Sequence, residues 1–221
     1  MSKQKKANPR GDIATEFEQE QRFVSTEYAR EPAIAKPTLL LHSCCGPCST
    51  AVVEALIPEY TITVFFYNPN ITDQDEYEKR KQNQIKFIKA YNEKPNHFDK
   101  IGFMEGQYEV NRFIEEVKGL EGEPEGGLRC RKCFRLRLEK AAETARLMGF
   151  DCFATTLAVS PRKDYNLLSE IGRDLCTRYG VGFLDRDLKK RGGYQRSVEL
   201  SKQYDLYRQK DCGCEYAKGT K

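Results

Sequence analysis

The chain has 221 residues, 39% hydrophobic and 32% charged, with a formal net charge of +4. That length holds one α/β domain with a sizeable core, or at most two small ones. No apolar run approaches the roughly 20 residues that span a bilayer. The opening MSKQKKANPRGD has no apolar h-region, so neither a membrane span nor a signal peptide is expected, and the expected compartment is cytoplasmic.

Residues 1–36 are polar and mixed in charge, closed by Pro32 and Pro37. They read as an N-terminal extension, with Ile13 to Tyr28 able to form one amphipathic helix or to stay disordered. Residues 37–221 read as a single α/β domain. Thr38–Ser43 (TLLLHS) is a buried-type strand that stops at a cysteine pair. Pro47 suits the first turn of a following helix that runs on through Ser49–Ile57. Tyr60–Tyr67 (YTITVFFY) is a second strand, ended by Asn68-Pro69-Asn70. Asp73–Asn92 is a long charged helix, 97–103 a weak strand, 107–118 a helix and 119–127 a glycine-rich loop. Arg129–Met148 is a helix stopped by Gly149, and Cys152–Leu157 a strand. Lys163–Tyr179 is a helix stopped by Gly180, 182–184 a brief strand, and Tyr194–Tyr207 the closing helix. Alternating strands and helices predict a Rossmann-like, nucleotide-hydrolase-like α/β fold. Its sheet is mostly parallel with helices on both faces, and the functional loops lie beyond the carboxyl ends of the strands.

Charge is unevenly spread. Arg129 to Arg146 carries seven Lys/Arg against two Glu, and Arg186 to Lys210 carries eight against three acids. Both stretches flank cysteine groups, a pattern that suits a phosphate-bearing partner such as RNA or merely two solvated helix faces.

Seven of the nine cysteines fall into three groups: Cys44, Cys45 and Cys48 in HSCCGPC, Cys130 and Cys133 in RCRKC, and Cys212 and Cys214 in DCGC. In a reducing compartment such clusters favour metal or catalysis over structural disulfides, and an odd total agrees. Cys45-Gly46-Pro47-Cys48 matches the thioredoxin tetrapeptide, but the chain has no Trp and Cys44 precedes the motif. Metal binding, dithiol exchange and inert packing all stay open for this group. Cys130 and Cys133 share one helix face and suit zinc or an iron–sulfur cluster. Gly213 lets Cys212 and Cys214 meet in a strained small ring, which favours redox activity; a second metal or an idle tail are the alternatives. Cys152 and Cys176 read as buried small hydrophobes. His42 reads as a strand residue or a donor to the neighbouring site, and His97 carries no signal.

In order, LLLHSCCGPCS, FFYNPNI with EYEKRK, RCRKCFRLRLEKAA, TTLAVSPRKD and KKRGGYQRSVELSKQYDLYRQKDCGC run through the chain. This series resembles the cobalamin-independent epoxyqueuosine reductases, the QueH family, from Leu39 to Tyr216. The resemblance implies two-electron deoxygenation of epoxyqueuosine to queuosine in tRNA anticodons, the last step of queuosine biosynthesis. It implies a [4Fe–4S] cluster on Cys44, Cys45, Cys130 and Cys133, and a redox-active pair at Cys212 and Cys214. A second iron is also implied. Some members have Asp where this chain has Cys48, so the ligands of that iron, Cys48 among them, stay open.

The expected partners are tRNA carrying epoxyqueuosine and an external electron donor, with no membrane. Asp164, Tyr165 and Asp211 are unranked proton-donor candidates. Arg129, Arg135, Lys190, Arg191 and Tyr194 are substrate-contact candidates, with Phe134 a further stacking surface. Two competing readings remain. One is an ATP-dependent adenylating or thiol-transfer enzyme on tRNA, although SCCGPCS stands where an SGGxDS phosphate loop would be. The other is a zinc-stabilised RNA-binding module.

Overall fold

The computed structural model describes residues 35–217; the expectation of an extension over 1–36, helical or not, lies almost wholly outside them. Five strands form one sheet in the order β3-β2-β1-β4-β5, and every pairing is parallel. They are β1 (Thr38–Ser43), β2 (Thr61–Phe66), β3 (Gly102–Glu105), β4 (Cys152–Thr155) and β5 (Gly182–Phe183). Between them run helices α1 (Gly46–Leu56), α2 (Gln74–Asn92), α3 (Val110–Glu116), α4 (Leu128–Leu147) and α5 (Tyr165–Tyr179). The last helix is α6 (Gly193–Gln203).

Period-two alternation decides which side each strand residue serves. Leu39, Leu41, Ile62, Val64 and Ala154 pack with Val52, Val53 and Leu56 of α1 and with Phe87 and Ile88 of α2. Leu40, Phe65 and Phe153 pack on the other face with Phe134, Leu138, Ala141 and Ala145 of α4 and with Leu168, Ile171 and Leu175 of α5. A sheet covered on both faces explains why β1 is almost continuously apolar. Asp73 caps α2 by accepting the Glu76 N–H at 3.0 Å, and Asp164 caps α5 through the N–H groups of Asn166 and Leu167. Gly180 ends α5 at φ 63°, a conformation that favours glycine.

Several expected boundaries shift, each for a tertiary reason. The third strand begins only at Gly102, because the Asn92 side chain brackets the backbone of Ile101 with two 2.9 Å hydrogen bonds and holds it off the sheet. The fourth stops at Thr155, whose hydroxyl accepts the Leu157 N–H and starts a 3-10 turn over Thr156–Val159. The last helix ends at Gln203 rather than Tyr207. Asp205 takes φ 48°, and Asn83 bonds both the N–H and the carbonyl of Tyr207. Cys152 and Cys176 are half-buried rather than core residues; Cys176 lies outside the buried stripe of α5.

The strand order reverses direction between β1 and β4, and ligands in open α/β sheets bind at such a crevice, beyond the carboxyl ends of the strands. Cys44 follows β1 directly, and its Sγ lies 3.9 Å from the hydroxyl of Thr156, which follows β4.

Candidate functional site

A cleft of ≈ 670 Å³ opens at that crevice, and all three cysteine groups reach it. Cys44, Cys48, Cys130, Cys133, Cys212 and Cys214 line it; Cys45 lies behind, fully buried, with its sulfur 3.7 Å from that of Cys44. The elements bring the groups together in a simple way. Cys45 is the N-cap of α1, so Cys44, Cys45 and Cys48 curl around one helix start, their sulfurs all within 4.8 Å of one another. Cys130 and Cys133 lie in the first turns of α4, where Cys130 packs in the same cluster as Cys44 and Cys133 packs against Cys214.

The third group is held by the loop after β2. Asn70 Nδ2 donates to the Cys212 carbonyl at 2.9 Å, and Thr72 N–H donates to the Gly213 carbonyl at 3.2 Å. Gly213 has φ 88°, and a Cβ there would lie 2.9 Å from Ile71 Cγ1. Glycine is therefore required both by conformation and by close approach.

Seven basic residues line the cleft (Arg80, Arg129, Arg137, Arg162, Lys163, Arg208 and Lys210), against the two acids Glu125 and Asp211. Arg137 is buried; one nitrogen donates to Asn68 Oδ1 at 2.6 Å, while its Nε has no hydrogen-bond partner among the described residues. Its charge favours the thiolates of Cys44 and Cys133, although burial pushes Cys133 up to about 11. Hydrogen bonds from Cys45 and Cys48 hold Cys44 well below the usual thiol range, whereas burial pushes Cys45 up to about 12. At the third group, a hydrogen bond from Cys214, helped by the Lys163 ammonium, lowers Cys212 to about 6, and Cys214 is raised in return. The pair thus sheds one proton easily and the second with difficulty.

Soft thiolate donors from three segments, positive charge to offset them and room between them fit a metal or iron–sulfur group. The tightest thiol set includes Cys48, which the sequence left open. His42 is a fully buried strand residue. Its Nε2 faces the Tyr67 carbonyl at 3.1 Å and so carries the proton, leaving Nδ1 to accept from the Thr155 hydroxyl at 2.9 Å. Burial, with Arg137 adding to it, lowers its pKa to about 3, so the ring is neutral.

The other sequence candidates divide. Asp211 lines the cleft, accepts the Gly213 N–H at 2.9 Å and lies 3.5 Å from Arg80. Asp164 and Tyr165 do not line it: Asp164 caps α5, and the Tyr165 hydroxyl donates to Asp185 at 2.7 Å. Arg129 does line it, but it is buried and donates to the carbonyls of Glu121 and Glu123. Tyr194 and Phe134 line it as well. Arg135 pairs with Asp174 and Lys190 stands near Asp187, both away from the cleft, and the Arg191 side chain lies outside the described residues. Sequence reasoning passed over Arg80 and Gln209, and took Arg137 only as the end of a basic stretch from Arg129 suited to phosphates. Arg137 had a signal, since it stands four residues after Cys133 on the same helix face. Gln209 had none, because it reaches Cys45 only through the tertiary fold.

The family model described as epoxyqueuosine reductase QueH matches residues 39–220. Curated relatives bear the same name. One from Streptococcus pyogenes is 43% identical over 187 residues, covering 85% of this chain and 72% of the relative. One from Staphylococcus epidermidis is 41% identical, covering 82% and 76%. One from Thermotoga maritima is 37% identical, covering 81% and 90%. The match takes in all three cysteine groups and the strands and helices that converge them, and the chain belongs to the QueH family of epoxyqueuosine reductases.

Proposed function

We propose that the protein removes the epoxide oxygen of epoxyqueuosine in a tRNA anticodon, giving queuosine, with a [4Fe–4S] cluster and a redox-active dithiol. The observation that carries this reading is the convergence of six thiols on one cationic cleft, in a chain of this family. Cys44, Cys45, Cys130 and Cys133 would hold the cluster, and Cys48 is the candidate ligand for a second iron. Such a cluster supplies single-electron transfer and Lewis acidity at an iron edge.

Deoxygenation consumes two electrons and two protons: both epoxide C–O bonds break, the alkene forms and oxygen leaves as water. Oxidation of the Cys212 thiolate and the Cys214 thiol to a disulfide releases two electrons and one proton, and solvent supplies the second proton, which balances the reaction. An external electron donor then reduces the disulfide. Lys163 favours the Cys212 thiolate, the more readily oxidised form. Asp211 is the preferred proton carrier of the three candidates, because Asp164 and Tyr165 are engaged in α5 capping and with Asp185.

Arg162, Lys163, Arg208 and Lys210 come from two loops at the cleft and are suited to anticodon phosphates. Tyr194, with Arg208 stacked near its ring, offers a face for the splayed modified base. The compartment of this reading is the cytoplasm, where tRNA and reduced thiols coexist; among the described residues no helix is long and apolar enough to cross a membrane.

The test is anaerobic purification followed by metal analysis and incubation with epoxyqueuosine-containing tRNA and a chemical reductant. Brown protein containing iron that forms queuosine without ATP is the expected result. Colourless protein with one zinc and no conversion would instead return the chain to the zinc-stabilised RNA-binding module. Conversion that requires ATP would point to adenylation.

A further inference from the structure

Gln209 lines the cleft without a part in the chemistry above, yet its amide sits against a buried cysteine. Its Nε2 lies 2.8 Å from Cys45 Sγ, while its Oε1 is buried with no partner among the described residues. A ligand thiolate only accepts and an amide nitrogen only donates, so the nitrogen faces the sulfur. The contact is built rather than left to a loose loop. Two residues earlier, Asn83 binds the Tyr207 backbone on both its N–H and carbonyl, at 3.0 and 2.9 Å. Three residues later, Asn70 holds the Cys212 carbonyl at 2.9 Å. Both asparagines are buried, so the segment carrying Gln209 is pinned at each end.

We propose that Gln209 is a positioning residue that donates an N–H···S hydrogen bond to Cys45 and thereby raises the reduction potential of the cluster. The inference rests on the cluster reading above. Reduction adds negative charge that is shared with the ligand sulfurs, so a donor at the sulfur stabilises the reduced state more than the oxidised one. Gln209 is joined to Cys212 through two intervening residues, Lys210 and Asp211, so the same segment carries the donor and the dithiol.

The test is an anaerobic redox titration of the iron-loaded wild type, Gln209→Leu and Gln209→Glu, followed by visible absorbance and electron paramagnetic resonance. Gln209→Leu removes the donor and is expected to shift the one-electron equilibrium about tenfold towards the oxidised form, a potential about 59 mV lower. Gln209→Glu puts a negative acceptor at the same length and is expected to lower it further. Unchanged potentials in both variants would overturn the inference. So would loss of iron from both with a native circular dichroism spectrum, since a tuning bond does not decide whether the metal is held. A wild type that holds no iron defeats the cluster reading first and this inference with it.

Discussion

Replacing Gly213 by alanine is expected to release the Cys212-Gly213-Cys214 segment while leaving the iron in place. An L-residue at φ 88° carries strain of about 1–2 kcal/mol. The new Cβ would lie 2.9 Å from Ile71 Cγ1 and 3.2 Å from its Cβ and Cγ2. Ile71 is buried against Phe66 and Tyr77 and cannot retreat, which adds about 1 kcal/mol. Against this stand two hydrogen bonds that dock the segment on the loop after β2: from Asn70 to Cys212 and from Thr72 to Gly213. At about 0.5–1.5 kcal/mol each, they total about 1–3 kcal/mol. A penalty of about 2 kcal/mol lowers the docking constant about thirtyfold and makes docked and released states comparable. Turnover is expected to fall about twofold, with slower closure of the Cys212–Cys214 disulfide measured by mass spectrometry after thiol trapping. Gly122→Ala is the control, since its Cβ would meet nothing within 4 Å among the described residues. A Gly213→Ala protein that closes its disulfide and turns over as fast as this control would refute the reasoning.

Charge reversal separates the cleft from the rest of the basic surface. Arg162→Glu and Lys210→Glu are each expected to weaken tRNA binding and reduce the slope of log affinity against log salt by about 1. Arg135→Glu and Lys190→Glu, away from the cleft, are expected to change neither; filter binding over a salt series decides. For stability, burial pushes the Asp185 carboxyl up but is outweighed by hydrogen bonds from Tyr165, Ser169 and Arg173, so its folded pKa lies below 3.8. A depressed folded pKa stabilises above the unfolded value and is lost as pH falls through the folded one. Urea midpoints should therefore show Asp185→Asn less stable by about 1 kcal/mol at neutral pH, with the gap closing below about pH 4. A gap that persisted at low pH would contradict the assignment.

The strands were legible because β1 and β2 are apolar runs that end in cysteine, asparagine and proline, and the helices because their caps and glycines stand in the chain. Parallel pairing followed from alternation alone. The convergence of the thiols was legible only as an expectation, since α1 and α4 cover opposite faces of the sheet and their cysteines reach one cleft with Cys212 only at its carboxyl edge. The basic residues show where sequence runs out. Counting Lys and Arg on α4 pointed to Arg135, which pairs outward with Asp174, while Arg137 two residues later turns inward to Asn68 and the thiols. Helical phase distinguishes the two, and a charge count ignores it. The sequence does not rank Asp164, Tyr165 and Asp211 as proton donors; the fold caps α5 with Asp164 and turns the Tyr165 hydroxyl to Asp185, while Asp211 lines the cleft.

The measurement that bears most directly on the central claim is single Cys→Ala replacement at the seven grouped positions, scored for iron content and for conversion of epoxyqueuosine in tRNA. Iron should be lost at Cys44, Cys45, Cys130 and Cys133. At Cys212 and Cys214 it should be retained while turnover is lost. Full activity and full iron in a Cys130→Ala protein would contradict the account.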